Sequence, residues 1–152
     1  MFYERVIEII VYLLAEMKDS KKLSEVDVQK LTKLGYTQNE INTAFSWVYS
    51  KIHSGEKIFA DETLEPRSHR MLHEVEKNVI EPEAFGYLIQ SRELGMISDM
   101  DIENIIDRIM ASGYMKVTED DVKYFLAAYL LDIEEAANKS KHINLNLNDT
   151  IN

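Results

Sequence analysis

Two histidines, His69 and His73, lie four residues apart with Glu74 and Glu76 close by. On a helix that spacing sets both imidazoles on one face, where they could share a metal ion. The zinc proteases that use such a pair carry a glutamate directly after the first histidine, and this chain has Arg70 there. No third ligand is evident, so His69 and His73 are weak metal candidates, and exposed histidines beside a linker are the ordinary case. Asp99, Asp101 and Glu103 alternate like the start of a calcium loop, but the glycine and closing glutamate that such a loop needs are missing. There are no cysteines, which removes thiolate metal sites, disulfides and cysteine nucleophiles. No glycine-rich phosphate loop or nucleophile elbow occurs. The expectation is a non-enzymatic protein with no catalytic residue and no cofactor.

A second constellation lies in residues 24–53, which read as a helix-turn-helix. Lys30 and Lys33, together with Lys18, Lys21 and Lys22, gather before a helix whose Gln38, Asn39 and Asn42 could read adenine edges. That helix offers only Lys51 as a cation and contains Glu40, whereas base readout leans on Arg and Lys. A net charge of −10 also repels phosphate backbones. Nucleic-acid regulation is therefore the alternative reading. The leading one is a protein-interaction or adaptor module with an unidentified protein partner. Tyr36, in a Leu34-Gly35-Tyr36 turn, and Trp47 are the aromatic anchors it would use.

The elements that must position these residues are helical. Five Gly and two Pro in 152 residues suit long regular elements. Val6, Ile10, Leu13, Leu14 and Met17 recur at helical spacing, with Ile7, Ile9 and Val11 widening the stripe, so a first helix runs from Phe2 to about Asp19. A helix that apolar is central to the core or shared with a second copy, which makes a homodimer through helix one an expectation. Ser24 caps a second helix that stops at Gly35. Thr37 and Glu40 form a capping box for a third, which buries Ile41, Ala44, Phe45, Val48 and Ile52 with Trp47 on its flank.

After an irregular stretch, Pro82 opens a helix ending near Gly95, Ser98 caps one ending at Gly113, and Thr118 caps a last one through Leu130. The same grammar of Gly stop, apolar residue, cap and acid appears at Gly35, Gly95 and Gly113. The fold class is all-α, as two small helical bundles. Residues 1–53 form an N-terminal three-helix unit, 54–68 a linker, 69–137 an acidic C-terminal bundle of three or four helices, and 138–152 a disordered tail. In that tail Ile143, Leu145 and Leu147 alternate with strand period.

Charge divides along the chain. Residues 1–53 carry seven Lys/Arg against seven Asp/Glu, 54–98 five against nine, and 99–137 three against ten. The apolar stretch Ile9 to Ala15 falls well short of the ~20 residues of a membrane span. Glu4 and Glu8 stand where a signal peptide would be positive. A cytoplasmic protein without membrane contact is expected.

The chain resembles the bacterial Smg family, small acidic proteins with no assigned activity. The N-terminal likeness rests on Val11-Tyr12-Leu13-Leu14-Ala15-Glu16 and on Leu31, Thr32, Gly35, Tyr36, Glu40, Ile41, Ala44, Trp47 and Val48 at their spacing. It continues from near Arg70 through Glu83-Ala84, Gly86-Tyr87-Leu88, Ile102-Glu103, Ile105-Ile106-Asp107-Arg108, Thr118 and Asp120-Asp121-Val122-Lys123. Where the family tends to have an aromatic-Thr-x-Glu-Glu segment this chain has Leu72-His73-Glu74-Val75-Glu76, and Tyr124 replaces a frequent Trp. The resemblance implies a helical, cytoplasmic bacterial protein and transfers no catalytic residue.

Overall fold

A computed structural model of the chain describes residues 1–54 and 70–131. Among these residues the elements are α1 (Phe2–Lys18), a 3-10 turn (Leu23–Glu25), α2 (Val28–Lys33), α3 (Gln38–His53), α4 (Glu74–Lys77), α5 (Pro82–Glu93), α6 (Asp99–Ala111) and α7 (Glu119–Leu130). The fold is all-α. The one β feature among them is an isolated parallel bridge between Ile80 and Val117. Residues 55–68 of the expected linker, His69 and the expected tail of 138–152 lie outside the described residues.

Val6, Ile7, Ile9, Ile10, Leu13 and Leu14 of α1 are all fully buried. At 100° per residue they span an arc of about 160°, too wide for one neighbouring helix to cover. α3 packs on one part of it and α7 on another, while α5 and α6 pack in turn on α7. The result is one continuous core from Val6 to Ala127. The six fully buried residues of α1 are thus covered within the chain, while Val11 and Met17 of the same stripe are half-buried.

The α5–α7 side is tied by backbone as well as side chains. Val117 N–H donates to the Val79 carbonyl at 2.7 Å and Glu81 N–H donates to the Val117 carbonyl at 3.1 Å. Ile80 and Val117 are buried at this bridge. Pro82 then occupies the first turn of α5, where its missing N–H costs nothing.

Helix two differs from the expectation. Ser24 lies inside the 3-10 turn, and Asp27 is the cap of α2, accepting from Gln29 N–H at 3.0 Å and Lys30 N–H at 3.4 Å. Between them Val26 adopts an extended backbone and is buried. Carrying Val26 into the core requires the helix to restart, and the Asp27 carboxylate is placed to restart it. The last turn of α3 also differs. Burial stops at Val48, Phe45 is half-buried, and Ile52 is 40% exposed.

Because α1 contributes to both sides of one core, the two bundles should unfold together. Ile10→Ala is expected to cost about 3 kcal/mol, with Trp47 fluorescence and far-UV circular dichroism reporting one coincident urea transition. Two separated transitions would show that the bundles are independent.

Candidate functional site

The turn between α2 and α3 is built by a complete helix stop. Gly35 N–H donates to the Thr32 carbonyl at 3.0 Å and Tyr36 N–H to the Leu31 carbonyl at 3.2 Å, the paired bonds of a Schellman motif. This requires a left-handed backbone at Gly35, whose φ is +96°, a conformation costly to any residue with a Cβ. Two residues later Thr37 caps α3. Its Oγ accepts from Glu40 N–H at 3.2 Å, and Glu40 Oε1 accepts from Thr37 N–H at 2.7 Å.

Glu40 also faces inward. Its Oε2 accepts from Arg5 Nε of α1 at 2.7 Å, and its side chain is 5% exposed against 37% for Arg5. A second Arg5 nitrogen donates to the Gly35 carbonyl at 2.6 Å, and the guanidinium lies 4.8 Å from the centre of the Tyr36 ring. Arg5 therefore fastens the turn to α1 through a carboxylate, a carbonyl and an aromatic face at once. Burial opposes ionisation of Glu40. The hydrogen bonds from Arg5 and Thr37, with the charge of Arg5, outweigh it and hold the carboxyl below the usual glutamate range.

Tyr36 and Trp47 are both half-buried rather than free in solvent. Tyr36 sits under Arg5, and Lys51 Nζ lies 5.3 Å from the centre of the Trp47 ring. Lys30 and Lys33 are exposed on α2, with Lys30 Nζ 5.6 Å from the Tyr12 ring centre. Gln38, Asn39 and Asn42 are exposed at the start of α3, and Gln38 Nε2 donates to Asn42 Oδ1 at 2.9 Å.

These amides begin a longer feature that sequence reasoning passed over. Gln38, Asn39, Asn42, Ser46, Tyr49, Ser50 and His53 are all exposed, and helical spacing gathers them into one stripe along α3. No residue of the stripe is an acid, Lys or Arg, in a chain whose charged fraction is 29%. The two charged residues of α3 lie elsewhere, Glu40 in the interior and Lys51 beside Trp47. Tyr49 is 58% exposed, and its ring centre lies 4.0 Å from that of His53. Beside the stripe an open cleft of about 400 Å³ is lined by Leu23, Phe45, Ser46, Tyr49 and Ser50. The signal was present in the sequence as an absence of charge at helical spacing.

Elsewhere Arg70 donates to both oxygens of Glu76 at 3.0 Å and also pairs with Glu103. Glu76 Oε1 further accepts from His73 N–H at 2.9 Å. The ion pair with Arg70 holds the Glu76 carboxyl low against the opposing effect of burial. His73 is thus the exposed N-cap residue of α4, and the nearby Glu76 is committed to Arg70. His69 lies outside the described residues. Among the described residues no group of three or more His, Asp or Glu is placed to hold a metal. Nor is any helix among them long and apolar enough to cross a membrane.

A family model described as protein of unknown function (DUF494) matches residues 6–150 of the chain. A protein described as Smg homolog from Nitrosococcus oceani is 30% identical over 121 residues, covering 71% of this chain and 70% of that protein. Another, from Nitrosomonas europaea, is 28% identical over 105 residues, covering 68% and 69%. No solved structure matches.

Glu40 and Glu76 have folded-state pKa values below the ordinary glutamate value of ~4.3. Their stabilisation is complete above that value and is lost as pH falls through the depressed folded values. Glu40→Gln should cost about 2 kcal/mol at neutral pH and flatten the acid limb of stability measured by urea unfolding between roughly pH 5 and 2. An unchanged acid limb would show that Glu40 is not held low.

Proposed function

On the premise that this chain belongs to the Smg (DUF494) family of proteins of unknown function, we propose that it is a non-enzymatic, cytoplasmic protein-interaction module whose contact surface is the charge-free face of α3. One observation carries this reading. A solvent-facing stripe of Gln, Asn, Ser, Tyr and His runs the length of α3 without a formal charge and borders an open, partly apolar cleft. The buried centres of protein interfaces are depleted in charged side chains and enriched in aromatics, while ordinary surface is not. Tyr49 supplies a large anchor with few rotatable bonds, and Asn42, Ser46 and Ser50 supply adaptable hydrogen bonds around it. Tyr36 and Trp47, both half-buried and each beside a cation, leave less ring surface free than Tyr49 does.

A second reading keeps one specific observation in its favour. Glu40, the acid that argued against base contact by α3, is interior and paired with Arg5. The start of α3 therefore offers only the amides of Gln38, Asn39 and Asn42 to solvent, with Lys30 and Lys33 exposed on the preceding helix. A nucleic-acid-associated regulator would use these five side chains.

Replacing Tyr49 with a photoreactive phenylalanine analogue in the native bacterium tests the first reading. Irradiation should yield a discrete adduct to a protein chain, and Ser50→Glu beside the probe should diminish it. The absence of any intermolecular adduct would remove the α3 face as the contact surface. Affinity capture with and without nuclease separates the two readings, because protein contacts survive nuclease and nucleic-acid tethering does not. Under the second reading Lys30→Glu with Lys33→Glu should reduce DNA binding at low salt by about tenfold or more. Retained binding in that double variant would end the second reading.

A further inference from the structure

We propose that the partner of the α3 face is a second copy of this chain, joined across a two-fold axis with the two α3 helices antiparallel. This rests on the reading of that face as a protein-binding surface and names its occupant.

The first argument is electrostatic. At a net charge of −10, two identical chains repel wherever acidic surface meets acidic surface. A symmetric contact brings each patch onto its own copy, so any charge near the axis meets its like. The stripe on α3 carries none. It is therefore a surface on which two copies can meet without burying like charges. A basic partner, by contrast, would be drawn to the acidic bundle of α5 to α7 rather than to an uncharged face.

The second argument is self-complementarity. α3 runs from Gln38 to His53, so its centre falls between Phe45 and Ser46. An antiparallel two-fold with Ser46 opposite Ser46 sets Asn42 opposite Ser50 and Asn39 opposite His53. Every such pair is uncharged, and each can form a hydrogen bond. A small serine at the crossing lets the helix axes approach to the ~8 Å lower end of helix packing. The cleft lined by Leu23, Phe45, Ser46, Tyr49 and Ser50 lies beside that crossing, as does the exposed Tyr49 ring. Each copy therefore presents both an aromatic ring and an open, partly apolar cleft, as an isologous contact requires. The stripe is about 22 Å long at 1.5 Å per residue. That size is small for a permanent interface and suits a reversible dimer.

The test is sedimentation of the full chain over roughly 1 to 200 µM, for wild type, Ser46→Glu and Ser46→Lys. Ser46 is exposed, and matching far-UV circular dichroism would show each variant folded. The expected result is a wild-type dimer that dissociates on dilution, and a midpoint raised by about tenfold or more in either variant alone. An equimolar mixture of the two variants should restore association, because opposite charges then face each other at the axis. A wild type that stays monomeric throughout overturns the proposal, as does a dimer indifferent to both substitutions or a mixture that fails to recover. If the chain is monomeric while the probe at position 49 captures a different protein, this proposal falls and the interaction reading stands. If that probe yields no intermolecular adduct, both fall.

Discussion

Helix α1 has more apolar surface than any single neighbour can cover, and the arrangement of the other helices follows from that. Its buried arc of about 160° needs two partners, and α3 and α7 come from the two described segments of the chain to supply them. Two short helical bundles that could each have formed a small, marginal core instead share one. Size makes this favourable, because the fraction of surface buried rises as a core grows. The Ile80–Val117 bridge and the bond from Lys123 to Glu8 of α1, at 3.4 Å, then tie α5 and α7 into the same unit.

The polar residues divide according to whether they serve this packing. Glu40 is drawn inside because Arg5 can meet it there, and the capping box uses its second oxygen. Glu40 stands about 140° around α3 from the middle of the uncharged stripe, on the side turned toward the core. The chain is acidic overall, yet one face of α3 carries no formal charge while acids concentrate on α4 to α7.

Helix boundaries were legible wherever local chemistry decides them. The capping boxes at Thr37, Ser98 and Thr118 and the stops at Gly35, Gly95 and Gly113 all form as their residues imply. Each depends on atoms within one turn of the cap. The start of α2 was not legible at Ser24, because a demand from the core, the burial of Val26, broke the helix there. Ile52 fits the apolar period of α3 but lies beyond the residues the core covers. Periodicity marks the side that could be buried, and only a neighbour's length decides how far burial extends.

The sequence by itself determined an all-α chain, most of its helix ends and an acidic second half, because caps, stops, apolar spacing and charge are local properties, and the match of its residues to the Smg family placed it there. It also held the ingredients of the α3 stripe, spaced for one face. Tertiary structure alone decided that Glu40 is interior, that Tyr36 and Trp47 are half-covered and that Tyr49 stands exposed. Those outcomes depend on which helix packs against α3. Arg5 and Glu40 are 35 residues apart in sequence, and nothing local to either names the other as its partner.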